Sequence, residues 1–257
     1  MLIPLPYCGT PPSPGELSGR FNLDPLLIGA LLALMVIHVA SGHDRRHRTY
    51  AACGWLTATI AFLSPLCALS VALFSARIAQ HMILLLVAAP LIALGWPMRR
   101  PATDSEGSGT LRVAAGVFMM ALWGWHMPAP YDATFTSTVL YWTMHITLFG
   151  SGIVLWRELL NHSAWRITPV LIVGLLTSVQ MGLLGAVLTL ARRPLFFPHL
   201  TTTQIWGLTP LQDQQLGGIL MWVPGILLFL WAAIRSLRRL WDILERTRHE
   251  SHPARLS

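Results

Sequence analysis

The sequence predicts an all-α integral membrane protein with seven transmembrane helices. Of its 257 residues, 54% are hydrophobic and only 11% are charged, whereas soluble domains carry about 25% charged residues. The apolar residues fall in blocks of about 20, which is the helix length that crosses the ~30 Å hydrocarbon layer of a bilayer. A soluble enzyme, a disordered chain and a disulfide-rich scaffold are therefore excluded.

Seven apolar segments are long enough to be spans, and charged residues or helix-breaking residues separate them. No Asp, Glu or Arg occupies the middle of any segment, which argues against a proton-coupled carrier. The predicted spans are residues 23–41, 51–73, 78–97, 110–127, 138–157, 168–190 and 213–234.

The distribution of arginine predicts the orientation of these spans. The sequence has no Lys, and alternate loops place 14 of the 18 Arg on one side and 4 on the other. Because cytoplasmic loops are enriched in basic residues, we expect the N-terminus outside and the C-terminus in the cytoplasm. Arginines placed between apolar segments serve as topology markers, so we expect no nucleic acid partner.

The ends of the chain differ in composition from the membrane domain, residues 23–234. Residues 1–22 contain five of the prolines and no basic signal-peptide start, and they predict a mobile extracytoplasmic segment. Residues 235–257 place Leu237, Leu240, Trp241 and Leu244 on one helix face with Arg opposite. This pattern predicts a basic amphipathic helix on the anionic inner leaflet.

The three cysteines do not predict a disulfide. Cys8, Cys53 and Cys67 form no CxxC pair, and their number is odd. We expect Cys53 and Cys67 to be small buried hydrophobic residues, with Cys67 close enough to the outer side to join a metal site there. His38 ends the first segment, where a histidine at the inner interface is expected.

Three histidines near the outer side are the best candidates for chemistry. His81, His126 and His145 belong to three consecutive segments and lie within about 10 Å of the predicted outer surface. No nucleophile can be paired with a base and no phosphate-binding glycine loop is present, so we do not expect an enzyme. The histidines therefore predict a metal site, and packing residues at the membrane boundary are the alternative.

Methionine adjoins each of these histidines. Imidazole and thioether together suit copper, particularly Cu(I). Adjacent helical residues point about 100° apart, so at most one of each pair can face a common ion. The candidate ligands are His81, His126, His145, Met127 and Met144.

Several longer motifs carry a family resemblance. Together they resemble the polytopic CtaG family of cytochrome c oxidase assembly factors, in the family's order and from about Leu56 to Trp231. The motifs are SPL at 64–66, LFSARIAQHMILLLVAAPLIALGWP at 73–97, WGWHMPAPYDATF at 123–135, MH at 144–145 with WREL at 156–159, and DQQLGGILMWVPG at 213–225.

The resemblance implies a multi-pass protein of the bacterial inner membrane that helps to mature haem-copper oxidase. Its proposed role is to deliver Cu(I) to the buried copper centre of the catalytic subunit, with a periplasmic copper chaperone as a further partner and no haem of its own. The family's histidines correspond to His81, His126 and His145. Many members have histidine where this chain has Arg77, so one ligand pair on that helix is lost.

Two other functions fit an all-helical membrane protein with histidines. A haem-bearing electron-transfer protein would use paired histidines between helices, but His38 is the one histidine within a span near the inner side. A copper or small-solute transporter would need polar residues at mid-depth, for which Thr177 and Gln180 are the candidates.

Overall fold

The computed structural model describes residues 5–42, 44–96, 104–160 and 167–251, and every regular element in these ranges is helical. Short 3₁₀ turns lie at Leu17–Gly19, Phe197–His199 and Gln204–Trp206. The helices are α1 (Pro25–Ser41), α2 (Arg45–Leu63), α3 (Leu66–Ala72), α4 (Phe74–Ile83), a π-helical turn (Leu84–Ala88), α5 (Ala89–Gly95), α6 (Asp104–Trp125), α7 (Pro128–Ala133), α8 (Thr138–Leu160), α9 (Ile167–Leu190) and α10 (Pro210–Ser251).

Each predicted apolar segment coincides with a helix, but fewer than seven meet the length and composition of a membrane span. Four helices do so: Phe74–Gly95, Thr138–Leu160, Ile167–Leu190 and Pro210–Arg238. The pair α2 and α3 makes a fifth if it is one span bent by 48° at Pro65. Helix α1 is apolar but has only 17 residues, and α6 begins with the polar sequence DSEGSGT.

The N-terminal segment differs from the prediction, whereas the tail is helical as predicted. Residues 5–24 are not a loose lead-in, because the backbone N–H of Asn22 donates to the Leu63 carbonyl (2.9 Å) and the Tyr7 hydroxyl donates to Asp24. At the other end, α10 runs without interruption through Ser251, so the predicted tail continues the last helix. Four arginines of the charge count, Arg99, Arg100, Arg166 and Arg255, lie outside the described residues.

The cysteine predictions were wrong on pairing and on Cys53, although Cys67 is buried as expected. Cys8 and Cys67 form a disulfide that ties the N-terminal segment to α3, and Cys53 is exposed on α2. An odd count leaves one thiol over but does not prevent the other two from pairing. His38 was also misjudged, since it is buried, accepts a hydrogen bond from the Trp55 indole (3.1 Å) and contacts the Trp96 ring.

A π-helical turn interrupts the span that contains α4 and α5. Pro90 has no N–H to donate to the preceding turn, so a carbonyl there loses its helical partner. The Trp156 indole of α8 donates to the Leu85 carbonyl at 2.7 Å. The widened turn is therefore stabilised from a neighbouring helix, which fixes α8 against this span.

Helix α4 begins only two residues after α3 ends, and its N-terminus is capped from α10. Leu73 at the N-cap position provides no side-chain acceptor. The buried Asp213 carboxylate accepts the backbone N–H groups of Phe74 (2.6 Å) and Ser75 (3.1 Å), together with the Ser75 hydroxyl. A carboxylate at a helix N-terminus satisfies unpaired N–H groups and favourably opposes the helix dipole.

Two glycines let α10 approach its neighbours closely. A Cβ atom on Gly217 would lie 2.5 Å from the Phe74 ring of α4. A Cβ atom on Gly218 would lie 2.3 Å from Thr189 Oγ1 and 2.7 Å from the Gly185 carbonyl oxygen of α9. Small residues at such contacts are typical of helices packed within membranes, and here they hold Asp213 in reach of α4.

We expect Gly218→Ala to destabilise the helix bundle. The added methyl group must displace the backbone of α9, and overpacking of this kind costs about 1–3 kcal/mol. The free energy of unfolding can be measured in detergent by denaturant or heat. Gly182→Ala is the matched control, because a Cβ atom there meets nothing within 4 Å. Equal stability of the two variants would contradict the close approach.

Candidate functional site

The structure brings His81, His126 and His145 together, as the sequence predicts. His81 lies on α4, His126 directly follows the end of α6, and His145 lies on α8; they are 2%, 4% and 3% exposed. The His81 ring lies between the other two, with ring centroids 5.7 Å from His126 and 5.3 Å from His145. We call these three residues the histidine cluster.

Most ring nitrogens of the histidine cluster have no hydrogen-bond partner. His126 Nδ1 contacts the Leu122 carbonyl at 2.6 Å, and His145 Nδ1 contacts the Tyr141 carbonyl at 3.0 Å. Because a carbonyl only accepts, Nδ1 carries the proton in both rings, and in the neutral ring Nε2 keeps its lone pair. Both Nε2 atoms and both nitrogens of His81 lack hydrogen-bond partners.

Buried nitrogens without hydrogen-bond partners are the atoms that would coordinate a metal ion. Metal-bound histidines commonly donate their other N–H to a carbonyl, as His126 and His145 do. Among the described residues, however, no group of three or more His, Cys, Asp or Glu side chains is placed to hold a metal ion. The rings must therefore reorient before all three can share an ion.

The structure buries only one of the two predicted methionine ligands. Met144 is fully buried on α8 beside His145. Met127 precedes α7, and its side chain is 56% exposed, so the structure does not bring it to the cluster. Cys67 is buried but is held in the disulfide.

Arg77 is the most unusual side chain near the site. It lies one helical turn before His81 and is 1% exposed. Its guanidinium donates to Thr134 Oγ1 (2.8 Å) and faces the rings of Phe135, Tyr131 and Tyr141 at 4.2, 5.1 and 5.7 Å. Cation–π contacts of this kind stabilise a desolvated cation by about 2 kcal/mol, and within the described ranges no carboxylate lies at ion-pairing distance.

Sequence reasoning missed His199, which lies in the loop between α9 and α10. Its side chain is 2% exposed, and its Nε2 is 2.7 Å from the Tyr131 hydroxyl. Burial and then the charge of Arg77 lower the pKa of His199 to about 3. The only sequence signal is its place on the predicted outer side, because its contacts with Tyr131 and Phe135 span more than sixty residues.

The candidate residues for a solute path are engaged in internal bonds. Gln180 accepts a hydrogen bond from the Trp123 indole (3.1 Å), and the Thr177 hydroxyl donates to the Val173 carbonyl of its own helix (2.8 Å). No contact of these residues favours the transporter hypothesis. Likewise, His38 is engaged by two tryptophans, which favours packing over haem ligation.

Comparison with known protein families gives one match. A family model described as cytochrome c oxidase caa3 assembly factor matches residues 30–242, which is most of the chain and includes the histidine cluster. Neither the curated proteins nor the solved structures give a significant match.

We expect acidification to weaken folding through His199. Since its pKa is about 3 when folded and about 6.5 when unfolded, only the unfolded chain takes up a proton between these values. Burial of neutral His199 therefore does not reduce stability above pH 6.5. Below that pH, it lowers the free energy of unfolding by about 1.4 kcal/mol per pH unit. Thermal unfolding in detergent between pH 7 and pH 5 should show a shallower loss for His199→Gln than for the wild type.

A His199→Gln profile parallel to that of the wild type would show that His199 is not buried in its neutral form.

Proposed function

Because the chain belongs to the cytochrome c oxidase caa3 assembly factor family, we propose that it holds Cu(I) transiently at the histidine cluster and delivers it to the catalytic subunit of a haem-copper oxidase. The observation that carries this proposal is the buried group of His81, His126 and His145, whose Nε2 atoms have no hydrogen-bond partner. Buried polar atoms are normally satisfied, so such a group calls for a ligand.

The arrangement of the cluster suits a soft ion of low charge. An imidazole nitrogen lies about 2.0 Å from a bound metal, and two ligand rings then have centroid separations similar to the 5.3 and 5.7 Å observed. Two neutral imidazoles, or those of His81 and His126 with the Met144 thioether in place of His145, match the ligands that Cu(I) prefers. The nearby guanidinium of Arg77 opposes any cation, and it opposes a divalent ion twice as strongly as Cu(I).

Weak, incomplete coordination fits delivery better than storage. The three rings do not converge on one point, and a fixed positive charge lies one turn away. An ion held in this way is readily displaced when a partner offers further soft ligands. Copper then passes by ligand exchange, so we propose no enzymatic step, and a periplasmic copper chaperone is the proposed donor.

We propose that all seven apolar segments cross the bacterial inner membrane, with the N-terminus outside. Helix α1 rises about 26 Å over its 17 residues, and α6 is 22 residues long once its polar first two turns are included. Both are close to the thickness of the hydrocarbon layer. This orientation places the histidine cluster near the outer surface, on the side from which the oxidase would receive copper.

We expect His81→Ala to weaken Cu(I) binding by at least about tenfold, because His81 is the ring that contacts both others. Affinity is measured anaerobically by competition with a chromophoric Cu(I) chelator, using the full chain in detergent. His126→Ala and His145→Ala should weaken binding as well. His199→Gln is the control, since His199 is equally buried but already bonded to Tyr131.

The cellular measurement is the copper-to-haem ratio of the oxidase. A strain carrying the triple alanine variant should yield oxidase that contains haem but is depleted in copper. If the wild type binds Cu(I) no better than the triple variant, the site is wrong. If binding is lost and oxidase copper stays normal, the protein assists assembly as a scaffold and copper delivery is excluded.

A further inference from the structure

The Cys8–Cys67 disulfide adjoins the histidine cluster through one aromatic residue, Tyr141. The Tyr141 hydroxyl is 3.4 Å from Cys8 Sγ and 3.9 Å from Cys67 Sγ. The ring of Tyr141 contacts that of His145 with centroids 4.4 Å apart, and its carbonyl accepts the His145 Nδ1 hydrogen bond. The two sulfurs therefore contact the hydroxyl end of the side chain whose ring contacts His145.

The two cysteines differ in accessibility. Cys67 is 1% exposed on α3, whereas Cys8 is half-buried and lines an open cavity of about 460 Å³ together with Tyr7, Arg20 and Asn22. A reductant can therefore reach the disulfide from the Cys8 side.

Aromatic contacts keep this segment in position apart from the disulfide. The Tyr7 ring stacks on Tyr141 with centroids 4.8 Å apart and meets the edge of Trp142 at 5.0 Å. Asn22 donates through its side chain to the Phe62 carbonyl (3.4 Å) and contacts Cys67 Sγ (3.7 Å). Breaking the sulfur–sulfur bond would thus leave the two thiols near each other.

We propose that Cys8 and Cys67 form a second, redox-controlled Cu(I) site next to the histidine cluster, closed as the disulfide and opened by a dithiol reductant. This proposal rests on the proposed role in copper handling. Two thiolates held side by side are the soft ligands that select Cu(I) over harder ions.

The chemistry balances with a dithiol as the reductant. One reductant thiolate attacks Cys8 Sγ, Cys67 leaves as the thiolate, and the second reductant thiol resolves the mixed disulfide. The reductant becomes a disulfide, and Cys8 and Cys67 each gain one proton and one electron. Cu(I) then replaces both thiol protons, which leave through the cavity beside Cys8.

The negative charge of this complex accounts for the burial of Arg77, which is otherwise costly because it removes a cation from water. A Cu(I) ion with two thiolates carries one negative charge. Arg77 is buried, faces the Tyr141 ring that the sulfurs also contact, and in the described part of the chain has no carboxylate partner. Its guanidinium disfavours copper on the imidazoles and favours an anionic complex at the sulfurs, since the two charges interact through a low-dielectric region.

The test compares oxidised and reduced protein in a Cys53→Ser background, which removes the exposed third thiol. The full chain is purified in detergent, reduced with a phosphine that is then removed under argon, and its free thiols are counted by maleimide labelling. Cu(I) is supplied from a chelator buffer, and bound copper per chain is measured. We expect two free thiols and one additional Cu(I) per chain after reduction.

Two variants separate this site from the histidine cluster. Cys8→Ser with Cys67→Ser should abolish the gain on reduction and keep the copper bound by the oxidised protein. The triple alanine variant of the cluster should lose that copper and keep the gain. Oxidised wild type that binds no copper would count against the histidine cluster alone.

Three results would overturn the redox site. They are two free thiols without additional copper, no thiol released by the reductant in the folded protein, and loss of the folded, monodisperse protein on reduction. The last would show that the disulfide is a structural link only. None of the three depends on whether the oxidised protein binds copper at the histidines.

Discussion

The Asp213 carboxylate at the start of α4 is the interaction on which the site depends. It connects α10 to backbone N–H groups 138 and 139 residues earlier in the chain, where no local residue caps the helix. The first two turns of α4 carry Arg77 and His81, so the position of both follows from this cap. The Gly217–Gly218 pair in the next turn lets α10 come near enough to provide it.

The positions of the helices could be predicted from the sequence because the bilayer imposes a simple rule. Backbone polar groups in hydrocarbon must be satisfied within the helix, so about 20 consecutive apolar residues form a helix. Each predicted segment indeed coincides with one. The rule says nothing about segments that are not apolar, which is why the contacts of residues 5–24 were not predicted.

The histidine cluster could be predicted because its members occupy similar positions along consecutive predicted segments. The position of a residue along a helix can be read from the sequence. Its contact partners on other helices cannot. The aromatic surroundings of Arg77, the bond between Tyr131 and His199, and the Cys8–Cys67 link join residues 54 to 68 positions apart. Residue type and spacing carry no signal for such contacts, and the odd cysteine count argued against the link that is present.

The π-helical turn at Leu84–Ala88 sets the rotational phase between the two halves of its span. One residue beyond the normal turn rotates all that follows by about 100°. The two halves can therefore face different neighbours, although they share one axis. One half carries Arg77 and His81, and the other carries Ile92 and Gly95. Deleting a single residue here would restore a regular helix and turn one half away from its contacts, so at this point the chain tolerates substitution far better than a change in length.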